Sequence, residues 1–216
     1  MKALDLFCGA GGASMGLARA GYEVTGIDIV VQPRYPFAFI QANALDADLA
    51  GFDFVWASPP CQAHTPLKHR TGKHYDCFIE ATRKKLQAWG GYYVIENVVG
   101  APLRVDVMLC AAAFGLRSYR HRIFECSFPV QAMPHPKHKV RVNRRKMNRR
   151  AHWDAGGFVT VVGDIGRYVG PEAMGIDRMT GNELSQAIPP VYSEYLANQL
   201  LTAISRRPLT MTGRLI

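Results

Sequence analysis

The sequence predicts an α/β fold, a parallel sheet with helices covering both faces. Three observations carry this. Short apolar, β-branched runs alternate with helix-spaced apolar patterns along most of the chain. Glycine clusters punctuate the junctions between them. The composition, 48% hydrophobic and 20% charged over 216 residues, suits one core-forming domain with a small added lobe. It excludes a disordered tail, a collagen-like fibre and a coiled coil. No run of about 18 apolar residues exists, so no membrane span is expected. An acidic residue at position 5 comes too early for a secretory signal.

Taken in order, residues 2–7 read as a strand that ends in Cys8-Gly9-Ala10-Gly11-Gly12. Met15, Leu17 and Ala18 then sit at helical spacing, Gly21 closes the helix, and residues 22–29 form a second strand. Residues 37–41 and 52–56 read as further strands, the latter running into Ser58-Pro59-Pro60-Cys61-Gln62. A helix is expected over 75–89, ended by Gly90-Gly91, and a buried strand over 92–95, leading into Glu96-Asn97. Residues 105–114 read as a helix and 122–128 as a strand. Residues 129–165 differ in character, with Pro134, Pro136 and a basic run, and are read as a lobe or long loop. Pro189-Pro190 opens a last helix.

Charge is concentrated. Residues 137–150 hold eight Lys/Arg and no acid, within a chain of net charge +9. Lys137, Lys139, Arg141, Arg144, Arg145, Lys146, Arg149 and Arg150 are therefore expected to meet a polyanion, with a solvated face as the alternative. The five cysteines, Cys8, Cys61, Cys77, Cys110 and Cys126, are odd in number, widely spaced and without Cys-x-x-Cys. Reduced thiols are expected, with no disulfide framework and no metal.

Four constellations carry chemistry. Glycines after a strand and before a helix let backbone approach a ligand, and Asp28, about 20 residues on, can accept from ribose hydroxyls. This reads as a nucleoside cofactor site or as a tight turn. Pro59 and Pro60 stiffen the turn that places Cys61 at the carboxyl edge of the sheet, where a thiolate can attack electron-poor carbon. Glu96 ends the next strand on that edge, where apolar surroundings would let it hold a proton. Arg120 and Arg122 flank His121 at the start of a strand, and alternation puts both on one side.

In this order the motifs resemble those of the DNA cytosine-5 methyltransferases, small phage or prophage members among them. The resemblance rests on Leu4-Asp5-Leu6-Phe7-Cys8-Gly9-Ala10-Gly11-Gly12, Ser58-Pro59-Pro60-Cys61-Gln62, Ile95-Glu96-Asn97-Val98, Arg120-His121-Arg122 and Ser185-Gln186-Ala187-Ile188-Pro189-Pro190. It implies a Rossmann-like S-adenosylmethionine-dependent methyltransferase sheet (1–128), a reduced basic DNA-recognition lobe (129–179) and a C-terminal segment returning to the sheet (180–216). It further implies a cytoplasmic monomer acting on a cytosine flipped from duplex DNA. Cys61 would add to carbon 6, Glu96 would bind nitrogen 3, Arg122 would contact the base or a phosphate, and Arg120 would position the Cys61 loop. Phe7, Gly9, Gly11, Gly12, Asp28, Ile29, Asn43, Pro60 and Gln186 would line the cofactor site, and Gln62 would touch DNA. Ser118 stands where the family has glutamine, Asn43 where it has an acid, and Ser185-Gln186 where it has Gly-Asn. RNA as substrate, a charged variant of the methyl donor accommodated by Gln186, and a catalytically weak DNA-binding protein are the alternatives.

Overall fold

The computed structural model describes residues 1–60, 77–140, 142–143, 149–161 and 169–206. Seven strands form one sheet: β1 (Lys2–Leu6), β2 (Glu23–Asp28), β3 (Ala38–Gln41), β4 (Phe54–Ala57), β5 (Tyr92–Asn97), β6 (Val107–Leu109) and β7 (Arg122–Cys126). Their order is β3-β2-β1-β4-β5-β7-β6. β1 pairs in parallel with both β2 and β4, so the order reverses beside it. Loops at such a point diverge and leave a crevice at the carboxyl ends of the strands.

Period-two alternation splits the core between the two faces. Helix α1 (Gly12–Arg19) and helix α6 (Pro190–Ser205) cover Val24, Phe54, Trp56, Val94 and Phe124. Helix α2 (Ile79–Trp89) and a 3₁₀ turn at Ala44–Asp46 cover Leu4, Leu6, Ile27, Val55 and Ile95. α1 and α6 lie almost backbone to backbone: a Cβ on Gly16 would come 1.9 Å from the Pro190 carbonyl oxygen. Ser193 Oγ donates to the Ala13 carbonyl across this contact. No described helix is long and apolar enough to cross a membrane.

Two expectations are corrected. The segment 105–114 is not one helix but β6 followed by a 3₁₀ turn at Ala111–Phe114. Val107 and Leu109 are buried and Met108 is exposed, a strand alternation too short to distinguish from a helical pattern. Nor is the sheet wholly parallel, since β7 runs antiparallel to both β5 and β6. This reversal matters for chemistry, because it brings the start of β7 to the edge where β5 ends.

Beyond the sheet, β8 (Val142–Asn143) pairs in parallel with β9 (Phe158–Val159). Short helices α3 (Arg149–Asp154), α4 (Gly170–Met174) and α5 (Gly181–Gln186) lie nearby. Trp153, Val159, Val161, Met174, Ile176 and Leu184 form a separate small core that closes on Ala10 and Met15. Arg117 fastens it, its guanidinium 3.5 Å over the Trp153 ring and its Nη1 donating to the Trp153 carbonyl.

Candidate active site

The carboxyl edge is built by the ends of β1, β2, β4 and β5. After β1 the chain turns sharply. Phe7 has φ 59°, a left-handed conformation that costs a non-glycine residue on the order of 1–3 kcal/mol. Gly9 (φ 49°) and Gly11 (φ 90°) continue the turn. Among the described residues, no atom lies within 4 Å of where a Cβ on Gly9 would sit, so none of them covers the backbone there. Gly12 serves another purpose: a Cβ on it would meet the Ile188 carbonyl at 2.7 Å, so its small size admits the C-terminal segment.

Asp28 ends β2, where its two oxygens accept from Gly9 N and Val30 N, both at 2.9 Å. The carboxylate braces the glycine turn and keeps lone pairs for a ligand. Ile29, Val30 and Val31 follow it, all more than half exposed. Asn43 caps the 3₁₀ turn, its Oδ1 accepting from Leu45 N and its Nδ2 donating to Asp46. Gln186 is exposed at the end of α5, one residue before the segment packed on Gly12.

Beneath the glycine turn lies a buried polar network. Ser14 Oγ donates to Asp5 Oδ2 at 2.5 Å and lies 2.7 Å from the Tyr35 hydroxyl. Asp5 is fully buried, and desolvation raises its pKa to about 7 against the hydrogen bond from Ser14, which favours the carboxylate.

At the end of β5, Glu96 and Asn97 divide two tasks. Asn97, fully buried, donates from Nδ2 to the Pro59 carbonyl at 2.9 Å, tying down the turn that leads through half-buried Pro60. Trp56 Nε1 reaches Ser58 Oγ, and Ser58 N reaches the Leu6 carbonyl, so this turn is held at several points. Cys61 and Gln62, next in the chain, lie outside the described residues. Glu96 is buried as expected, but its neighbour is not an apolar wall. Arg122 Nε stands 2.8 Å from Glu96 Oε1, with both side chains largely shielded from solvent.

The two arginines have different partners. Arg120 precedes β7 and donates to the carbonyls of Val161, Ser185 and Ala187. Its main-chain oxygen accepts from the Tyr192 hydroxyl. These bonds join the lobe, the C-terminal motif and the sheet. Among the described contacts Arg120 staples residues 185–187; the Cys61 loop that it is expected to position lies outside the described residues.

Of the basic run, Lys137 and Lys139 are exposed, and Arg150 is exposed and paired with Asp154. Arg149 opens α3. Arg141, Arg144, Arg145 and Lys146 lie outside the described residues. Two features escaped sequence reasoning. One is the Asn97–Pro59 tie, which only strand order reveals. The other is a cluster of Cys110, His121, His135 and His138, where His121 and His138 are pushed below the ordinary histidine range, first by burial and then by neighbouring imidazoles.

This is a Rossmann-like methyltransferase fold, and the glycine turn, Asp28, the Pro59-Pro60 turn and the Glu96–Arg122 pair lie together at the carboxyl edge of its sheet. More particularly, the chain superposes on a prophage-encoded Escherichia coli protein assigned as a DNA modification methyltransferase, with TM-score 0.63 and 13% identity, over 95% of this chain and 99% of that one. It also superposes on the Dnmt2 methyltransferase of S. pombe, with TM-score 0.58 and 12% identity, over 94% and 99% respectively. In sequence it is 26% identical over 175 residues to the type II methyltransferase M.AgeI of Thalassovita gelatinovora, an alignment covering 66% of this chain. The chain spans 38% of the length of that relative. No protein-family profile matches it.

Proposed function

We propose that this chain transfers a methyl group from S-adenosylmethionine to carbon 5 of cytosine in DNA through a covalent Cys61 adduct. The observation that carries the reading is at the end of β5. One residue there, Asn97, holds the turn in front of Cys61, and its neighbour Glu96 faces Arg122. A nucleophile and a nitrogen-binding carboxyl are thereby offered to the same base.

The residues present fit the cofactor. Open backbone at Gly9 admits a ligand closely, Asp28 offers carboxylate oxygens to a ribose, and exposed Ile29 offers an apolar surface to an adenine ring. When bound, S-adenosylmethionine supplies a methyl group on a positively charged sulfur, electrophilic enough for an activated carbon but not for resting cytosine. Activation is the protein's part. The Cys61 thiolate forms a bond to carbon 6 of the flipped base, and the electron pair of the 5,6 double bond moves to carbon 5. Glu96 hydrogen-bonds nitrogen 3, and Arg122 holds Glu96 in place. After methyl transfer, loss of the carbon 5 proton to a base expels Cys61 and restores the ring. Burial pushes the thiols of Cys8, Cys110 and Cys126 up, which makes them poor nucleophiles and supports Cys61 in that role. The basic run contributes phosphate contacts that are salt-sensitive and sequence-blind.

The test is incubation with labelled cofactor and duplex DNA or tRNA, followed by mass spectrometry of the nucleosides. The expected product is 5-methylcytosine in DNA. Label on an exocyclic nitrogen, label in RNA alone, or a carboxymethylated base would overturn the reading. Duplex containing 5-fluorocytosine should trap a stable adduct with the wild type and none with Cys61→Ser, which should still bind cofactor.

A further inference from the structure

We propose that Cys110, His121, His135 and His138 form a zinc site that clamps the segment after β7 onto the sheet. Cys110 follows β6, His121 precedes β7, and His135 and His138 lie on the stretch that leads into the basic run. One donor atom from each gathers within 4.8 Å of all the others. Cys110 Sγ is 3.5 Å from His138 Nε2, and the Nε2 atoms of His121 and His135 are 2.9 Å apart. Zinc bonds of about 2.0–2.1 Å to nitrogen and 2.3 Å to sulfur put tetrahedral donors roughly 3.3–3.6 Å apart. The Cys110–His138 separation falls in that range, the His121–His135 one must open by a few tenths of an ångström, and the widest must close by about an ångström, all within reach of side-chain rotation.

The arrangement is hard to explain as packing. Three imidazoles turn their polar edges toward one another and toward a buried thiol. His121 and His135 stack with centroids 5.2 Å apart, and His138 lies within 5 Å of both. None of the four is adjacent in sequence to another, and only His135-x-x-His138 has a short spacing. The expectation of no metal came from cysteine spacing, which is blind to a set that is three-quarters histidine.

The chemistry selects the metal and its role. One thiolate with three imidazoles suits zinc, a borderline ion indifferent to ligand-field geometry. Four protein ligands close the coordination shell, so the site is structural rather than catalytic. On binding, the Cys110 thiol gives its proton to solvent, a zinc–sulfur bond forms, and the complex carries one net positive charge. A surrounding shell is in place. Tyr119 stacks on His138 at 3.7 Å, and its hydroxyl donates to the Val140 carbonyl and accepts from Val140 N. His121 stands between Arg120 and Arg122, and Lys137 and Lys139 flank His138. The ion would therefore fix the start of the basic run against the arginines of the site edge.

The experiment uses the full chain, stripped by chelator and titrated with Co²⁺ and then Zn²⁺. The expected result is one equivalent bound, with tetrahedral d–d absorption and a thiolate-to-cobalt charge-transfer band, both abolished by Zn²⁺. His135→Ala/His138→Ala removes two exposed ligands, so the fold should survive by circular dichroism while affinity drops at least a hundredfold. Cys110→Ser should lose the charge-transfer band; if that variant fails to fold, the histidine pair decides. Absence of saturable binding at one equivalent, an octahedral spectrum without charge transfer, or unchanged affinity in the histidine variant would overturn the proposal.

Discussion

Replacing Asp5 by Asn should abolish a pH dependence built into the core. Asp5 is fully buried beneath the glycine turn, with Ser14 Oγ as its hydrogen-bond donor and a pKa raised from the ordinary 3.8 to about 7, chiefly by desolvation. Between these two values the folded protein binds a proton that the unfolded chain has released. Stability from this group is therefore full below about pH 3.8 and declines as pH rises toward 7, where the buried group must ionise. At about 1.36 kcal/mol per pH unit, the full effect is roughly 4 kcal/mol. An asparagine keeps an oxygen for Ser14 and cannot ionise. The assay is urea unfolding of both proteins at pH 4.5 to 8. The two should be nearly matched at the acid end, and Asp5→Asn should be more stable at pH 8 by a few kcal/mol. A stability difference that does not change with pH, or a variant weaker than wild type at pH 8, would refute the reasoning.

Asp28→Ala removes the acceptor of Gly9 N and the proposed ribose contact, so cofactor affinity by calorimetry should fall by about 1–3 kcal/mol. Asn97→Ala frees the turn ahead of Cys61; the rate of adduct formation with 5-fluorocytosine duplex should drop at least tenfold while cofactor affinity holds. Arg122→Met leaves Glu96 buried without its partner and should cost about 3–5 kcal/mol in urea unfolding. Adding Glu96→Gln to that variant should recover part of the loss.

What could be read in the sequence was local. The run from β1 through the glycine turn and α1 to β2 repeats its signal in periodicity, glycine placement and the acid at the second strand's end, so each part supported the others. Val107–Leu109 was misread because three residues cannot display a period, and its strand state comes from pairing with β7. The antiparallel insertion of β7 was not visible at all, since strand neighbours are not written in local pattern. That reversal, however, determines that Arg122 meets Glu96. The carbonyl acceptors of Arg120 were hidden for the same reason: they lie 41 to 67 residues away. The histidine–cysteine cluster spans β6, β7 and the following stretch, and only the folded chain brings it together.

The close seat of α6 on α1 sets an order on the birth of the molecule. Ser193 and Ala13, bonded across that contact, are 180 residues apart. At about 5–20 residues per second, a ribosome makes α6 roughly 9–36 s after α1. Throughout that interval one face of β1, β2 and β4 has α1 over it but not α6, and Leu17, Val24 and Phe54 are left partly to water or to a chaperone. The emerging chain can pack the α2 face from residues 4–95, but not the face that α6 shares with α1. Closure of that face waits for α6, so a message broken after residue 186 would yield a chain with Asp28, Glu96 and Arg122 in place but without the helix that seals the face behind them.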